Sequence, residues 1–422
     1  MIVSISRIGP VDAVFEAPPS KSYTHRALVA AALASGRSRI VAPLRAADTE
    51  LTAQGLEHLG VPIEWLPGEI VITGCGGAFP APGEVMIDCQ NSGTTLRLLA
   101  SVALLARHPV VLTGNARMLE RPVGPLADAL RHLGGEIVFT GRHGFPPIRV
   151  LGRLRGGKAQ IDGSISSQFI SSILMAAPYA DEDVELTLPA PPASRSYLDV
   201  TADVMLRFGA RLERRGYEWF RVKSGVAYRG RDYRIEGDYS SASYLFAIAA
   251  VCGGRVTVTG LNPASVQGDR RFLDALEAMG CLVTATGDAV TVERTGDLEG
   301  IEIDMSSSPD TVQTLAAVAA TAGSPTTITG IAHLQYKESD RVGVTAETLR
   351  RMGAGIAVTD DSLTITPAPL HGVLVDPHDD HRTAMAFAVL GLAVGSVAIR
   401  DPGCVKKSFP GFWEALYGEG LL

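Results

Sequence analysis

The stretch Pro18-Pro19-Ser20-Lys21-Ser22-Tyr23-Thr24-His25-Arg26 runs directly into Ala27-Leu28-Val29-Ala30-Ala31-Ala32-Leu33-Ala34, and it predicts the unit from which the chain is built. The prolines end any helix upstream, and Ser20 or Ser22 can cap the first amides of the helix that follows. Ala and Leu are strong helix formers, and a run with almost no polar residue belongs inside a protein. A buried helix that starts at a polar turn leaves its free amides and positive dipole end there. With Lys21 and Arg26 close by, that turn becomes an anion site.

The same unit recurs five more times. Apolar helices are expected after Asn91-Ser92-Gly93-Thr94-Thr95-Leu96-Arg97, Ser164-Ile165-Ser166-Ser167-Gln168 and Asp238-Tyr239-Ser240-Ser241. They are expected again after Ser306-Ser307-Ser308-Pro309-Asp310 and Asp379-Asp380-His381-Arg382. Each copy continues into a β-branched run such as Val256-Thr257-Val258-Thr259, which reads as a strand. A second, amphipathic helix follows and stops at a glycine: Gly60, Gly134, Gly209, Gly280 and Gly353. The sixth copy ends with Phe412-Trp413-Glu414-Ala415-Leu416-Tyr417-Gly418. The glycines recur about every 70–75 residues, longer than the usual solenoid periods and long enough for a small α/β layer.

Six units divide into two domains of three, with the break at the charged stretch Tyr228-Arg229-Gly230-Arg231-Asp232. The expected division is 16–230 for the first domain and 1–15 plus 231–422 for the second, the chain starting in the domain where it ends. A length of 422 residues is itself too great for a single core. A net charge of −7 argues against a general nucleic-acid or anionic-membrane surface, while leaving room for a local basic pocket. Only six lysines occur (21, 158, 223, 337, 406 and 407), so nearly all positive charge is arginine. Five scattered cysteines with no C-x-x-C spacing suit reduced thiols in a cytoplasm. The start of the chain alternates like a strand and lacks a signal-peptide layout. The uncharged run Ala384–Ile399 is shorter than a membrane span and reads as helix, turn and strand.

Two further stretches concentrate chemistry. In Lys337-Glu338-Ser339-Asp340-Arg341 the two cations, four apart, are expected on one helical face with Glu338 beside them. In Asp379-Asp380-His381-Arg382, Asp380 is expected to orient His381 at a helix N-terminus while Arg382 projects inward. Neighbouring carboxylates and imidazoles rarely converge on one ion, so no metal is expected. Leu119-Glu120-Arg121-Pro122 follows a strand end, a normal place for a ligand arginine, and Lys406-Lys407-Ser408-Phe409-Pro410 holds the only lysine pair. No phosphate-binding P-loop, dinucleotide fingerprint or nucleophile elbow is present.

Taken in order along the chain, these motifs, together with Ser194-Arg195-Ser196-Tyr197, resemble the enolpyruvyl transferases end to end. The resemblance implies an α/β (α+β) fold of two inside-out barrel domains, three repeats each, that close on substrate in an interdomain cleft. It implies transfer of the enolpyruvyl group of phosphoenolpyruvate to the 5-hydroxyl of shikimate 3-phosphate, with release of phosphate. The route is addition and elimination through a tetrahedral intermediate, without metal or cofactor, on the way to chorismate and the aromatic amino acids. The alternative within the family is transfer to UDP-N-acetylglucosamine. That member carries a reactive cysteine in the loop that here reads Asn115-Ala116-Arg117-Met118-Leu119-Glu120-Arg121.

By the same resemblance, Lys21, Gly93, Arg121, Gln168, Arg341, Arg382 and Lys407 hold phosphoenolpyruvate. Lys21, Ser22, Arg26, Ser166, Ser167, Gln168, Ser194, Tyr197, Asp310 and Lys337 hold shikimate 3-phosphate. Asp310 and Glu338 are the implied bases for the reacting hydroxyl, and Lys21 or Glu338 the acid for the methylene carbon. Arginine forks match phosphate and carboxylate, which both substrates carry. His333 stands where the family often has asparagine, and Gly93 where added bulk accompanies resistance to glyphosate, a competitor of phosphoenolpyruvate. Sensitivity to that compound is therefore implied. The expected protein is a cytoplasmic monomer acting on small molecules, without nucleic acid or membrane.

Overall fold

The computed structural model describes residues 1–422. Its helices in the first half are α1 (Lys21–Leu33), α2 (Ala47–His58), α3 (Gly93–Val102), α4 (Gly124–His132), α5 (Gln168–Ala176) and α6 (Ser196–Arg207). The second half has α7 (Tyr239–Cys252), α8 (Arg271–Ala278), α9 (Val312–Ala319), α10 (Arg341–Met352), α11 (His381–Val394) and α12 (Phe412–Gly418). The odd-numbered helices are the apolar members of the six repeats. In α1 every residue from Tyr23 to Leu33 is buried, and in α7 every residue from Tyr239 to Val251.

Six small sheets accompany these helices. Around α3, Val85–Asp88 and Val110–Thr113 run parallel, with α3 supplying the crossover that parallel strands need, and Ile148–Gly152 and Gly135–Phe139 extend the sheet antiparallel. The same plan recurs around α5 and α9. The sheet of α11 pairs Leu374–Val375 with Val397–Arg400 and adds Ile2–Ile5 at the edge. The remaining two sheets have exchanged a strand. Val11–Glu16, which precedes α1, lies parallel to Gly254–Thr259, which follows α7. Asp232–Arg234, which precedes α7, lies parallel to Ser35–Val41, which follows α1.

Two compact units result, Lys21–Ile235 and Met1–Ser20 with Glu236–Leu422, each with its own apolar core. The sequence-based division put both breaks a few residues earlier. The exchanged strands explain the difference, since Pro19 bridges Gly237 after Val11–Glu16 has paired, and Ile235 N–H still donates to Val41 after Asp232–Arg234. Within each unit three buried helices occupy the centre and the sheets and amphipathic helices surround them, an inside-out α/β barrel.

The glycine stops hold as expected. Gly60, Gly134, Gly209, Gly280 and Gly353 all have positive φ, between 91° and 110°, where a side chain would be strained. Capping by the polar turns is less uniform. Ser92, Asp238, Asp340 and Asp380 accept from first-turn amides, whereas Ser167 makes no such bond. One expectation is corrected. Because Asp340 caps α10, the helix begins at Arg341, and Lys337 lies at the end of the 3-10 turn Ala332–Tyr336. Lys337 and Arg341 therefore do not share a helical face.

Candidate active site

In Lys21–Ile235 the residues singled out from sequence gather at the N-termini of α1, α3, α5 and α6. Lys21 opens α1 with its ammonium 3.2 Å from the buried carboxylate of Asp48. Arg26, one turn on, is 2% exposed. It donates from Nε to Thr201 at 2.7 Å, and its Nη atoms reach the Ser22 carbonyl at 3.0 Å, the Tyr197 carbonyl at 3.2 Å and Ser171 at 3.4 Å. Burial lowers its pKa to about 10, which still leaves it a cation at neutral pH. Arg26 thus ties α1 to α5 and α6 as well as standing beside Ser22 and Tyr197.

The first turn of α3 is built around a missing side chain. A Cβ on Gly93 would lie 2.5 Å from Arg121 Nη2 and 2.7 Å from its Cζ. The buried Arg121 guanidinium lies there and donates to the Asn91 carbonyl at 3.1 Å. Gln168 opens α5 and donates to Thr94 at 2.9 Å, while its Oε1 accepts from Arg97 at 2.8 Å. Arg97 also reaches Ser166 at 3.3 Å and lies over the Phe169 ring. Ser167 is buried at the head of α5. Ser194 is buried in a left-handed conformation, φ 57°, directly ahead of α6, a constrained turn for a non-glycine residue.

In Met1–Ser20 with Glu236–Leu422 the centre is Arg341. It is 2% exposed and donates to three carboxylates: Asp380 at 2.9 Å, Asp310 at 2.9 Å and Glu338 at 2.7 Å. Burial alone would lower its pKa, but Asp380, Glu338 and Asp310 raise it above the ordinary arginine value. Three of the five guanidinium donors are used in this way. Arg382 grips the other oxygen of Asp310 at 2.6 Å and donates to Ser240 at 2.6 Å and Tyr244 at 3.2 Å. Burial pushes the Tyr244 phenol up to about 12, keeping it neutral. Asp380 caps α11 and accepts from Ser339 at 3.0 Å; His381 Nδ1 lies 3.6 Å from its carboxylate.

Asp310, Glu338, Arg341 and Arg382 therefore form one hydrogen-bonded body. Lys337 is half-buried beside Glu338 in sequence, and Lys407 is half-buried on the turn Pro402–Lys407. Rings at Phe409 and Phe412 pack on each other and Phe412 packs on Tyr244, linking the Lys407 segment to the phenol that holds Arg382. His333 is buried, and desolvation, helped by the Lys337 charge, lowers its pKa to about 3. No group of three His, Cys, Asp or Glu side chains is placed to hold a metal ion.

Sequence reasoning left three of these contacts unassigned. Arg97 stands in its motif without an assigned role, Asp48 carries no signal of its own in the sequence, and the Ser240–Tyr244 seat of Arg382 joins residues distant in sequence.

Buried helices that present arginines, hydroxyls and carboxylates at their N-termini, three repeats to a unit, are what the enolpyruvyl transferase motifs led one to expect. A family profile described as EPSP synthase (3-phosphoshikimate 1-carboxyvinyltransferase) matches residues 5–416. A 3-phosphoshikimate 1-carboxyvinyltransferase from Methanoculleus marisnigri is 83% identical over 422 residues, 100% of both chains. Its counterpart from Methanoregula boonei is 58% identical, with 99% of each chain covered. A solved EPSP synthase from Acinetobacter baumannii is similar at TM-score 0.82 and 28% identity, covering 100% of this chain and 98% of that one. The chain belongs to the EPSP synthase family.

Proposed function

We propose that this chain transfers the enolpyruvyl group of phosphoenolpyruvate to the 5-hydroxyl of shikimate 3-phosphate and releases phosphate. The observation that carries the proposal is the Asp310–Arg341–Glu338–Arg382 body, in which two carboxylates able to move protons share guanidinium partners that suit an anion. Full-length identity to enzymes named for this reaction supports the same reading.

In the proposed cycle, Asp310 or Glu338 takes the proton of the 5-hydroxyl as its oxygen bonds to C2 of phosphoenolpyruvate. Lys21 or Glu338 delivers a proton to C3, giving the tetrahedral adduct. Loss of a proton from the new methyl group and cleavage of the C2–O bond to phosphorus-bearing oxygen then restore the double bond and free phosphate. Lys21, Arg121, Arg341, Arg382 and Lys407, with Gly93 and Gln168, are assigned to phosphoenolpyruvate. Lys21, Ser22, Arg26, Ser166, Ser167, Gln168, Ser194, Tyr197, Asp310 and Lys337 are assigned to shikimate 3-phosphate. Because Arg341 holds Asp310 and Glu338 together, anything that displaces the guanidinium displaces both proton carriers.

The test is phosphate release from phosphoenolpyruvate by purified protein without added metal, with shikimate 3-phosphate in one tube and UDP-N-acetylglucosamine in another. Release with the first alone is expected, and release with the second alone would overturn the proposal. The absence of cysteine in the Asn115–Arg121 loop favours the first acceptor. We further propose a monomer in the cytoplasm; the five free thiols suit a reducing compartment. Sedimentation and cell fractionation test these points.

A further inference from the structure

We propose that Asp48 is a positioning residue that sets both Lys21 and the Gly93 turn for phosphoenolpyruvate. The inference rests on the assignment of Lys21 and Gly93 made above. Asp48 lies in the first turn of α2, where a helix dipole favours a carboxylate. Its side chain is 3% exposed and its Oδ2 lies 3.2 Å from Lys21 Nζ, which is 13% exposed. A buried carboxylate next to a nearly buried ammonium holds it far more tightly than a surface pair would, because little water screens them.

The same residue also reaches the neighbouring repeat. The Asp48 carbonyl accepts from the Thr95 hydroxyl at 3.3 Å, and Thr95 lies two residues past Gly93 in α3. Thr95 in turn bonds Thr52 at 2.7 Å and the Ser92 hydroxyl at 2.8 Å, and Thr52 bonds His25 Nδ1 at 2.8 Å. One buried chain of polar contacts thus runs from α1 through α2 to the turn against which Arg121 lies. Asp48 is where that chain meets the Lys21 ammonium. A role confined to stabilising α2 would use the backbone and dipole contacts but would not require the ion pair.

The experiment compares Asp48→Asn, Lys21→Ala and the double variant by steady-state kinetics for each substrate and by thermal unfolding. Asp48→Asn keeps the shape and a hydrogen-bonding oxygen but removes the charge. The expected result is a fall of about 10²-fold in kcat/KM for phosphoenolpyruvate, the scale of a misplaced catalytic group. KM for shikimate 3-phosphate, which Lys21 shares with many other contacts, should rise less than KM for phosphoenolpyruvate, and Tm should stay within about 2 °C. The double variant should be no worse than Lys21→Ala alone, since both changes break one contact. Wild-type kinetics in Asp48→Asn with a defective Lys21→Ala would overturn the inference and leave the function standing. Unimpaired Lys21→Ala would instead remove the Lys21 assignment itself. Equal losses for both substrates with a much lower Tm would reduce Asp48 to a structural residue.

Discussion

Gly93 leaves room for the Arg121 guanidinium by lacking a single methyl group. Its built Cβ falls 2.5 Å from Arg121 Nη2, so Gly93→Ala must push a buried guanidinium off its seat on Asn91. Crowding of this kind costs about 1–3 kcal/mol. Because a side-chain tip can yield, the loss should appear in binding more than in folding. The expected outcome is a KM for phosphoenolpyruvate raised about tenfold or more, weaker inhibition by glyphosate, and an unchanged melting profile.

His333 makes a different residue-level claim. Its pKa is about 3 in the folded chain and near 6.5 when unfolded, lowered chiefly by desolvation. The unfolded state then binds a proton that the folded state refuses, so the contribution to stability is complete above pH 6.5 and is lost as pH falls towards 3. Between pH 6.5 and 4.5, His333→Asn should remove up to about 2–3 kcal/mol of the acid-induced loss. Urea unfolding at the two pH values measures it, and identical pH slopes would refute the burial of a neutral imidazole. The sequence revealed the unusual residue at this position. Its neutrality depends on surroundings that only folding creates.

At the scale of elements, the motif Lys337–Arg341 divides by function. Asp340 is exposed, and its side chain accepts from Gly343 N–H at 3.0 Å as the cap of α10. Glu338 and Arg341 in the same stretch are buried in the carboxylate–guanidinium body. Asp340→Ala should therefore cost about 1 kcal/mol of stability, the usual price of a lost cap, while kcat is unchanged. Calorimetry with a turnover assay checks both halves. The repeats, their glycine stops and their buried helices were legible because periodicity and left-handed caps are local properties of sequence. The start of α10 was not, since Lys337 and Arg341 four apart fit a helical face equally well until the cap is seen. Arg97, Asp48 and Tyr244 were illegible for another reason: their meaning lies in partners 27 to 138 residues away.

At the scale of the molecule, the exchanged strands fix which segments belong together. A fragment Lys21–Ile235 contains every strand of its three sheets, including Asp232–Arg234. A fragment Lys21–Arg229 lacks that strand, the buried side chains of Tyr233 and Ile235, and the Ile235 N–H bond to Val41. Burial of those two side chains is worth about 3–5 kcal/mol. The longer fragment should unfold in one cooperative urea transition, and the shorter should be weaker by about that amount. Equal stability would mean that the edge strand contributes nothing to the unit.

The exchange also sets a timetable during synthesis. The middle unit has all its strands once Ile235 has left the ribosome, whereas Val11–Glu16 must wait for Gly254–Thr259 and Ile2–Ile5 for Val397–Arg400. At 5–20 residues per second the earliest part of the nascent chain waits roughly 10–40 s after the middle unit can close. The first segment made is therefore among the last to find its place. Val11–Glu16 can pair within a few seconds of that point, but until the end of synthesis Ile2–Ile5 remains within reach of chaperones and of neighbouring chains.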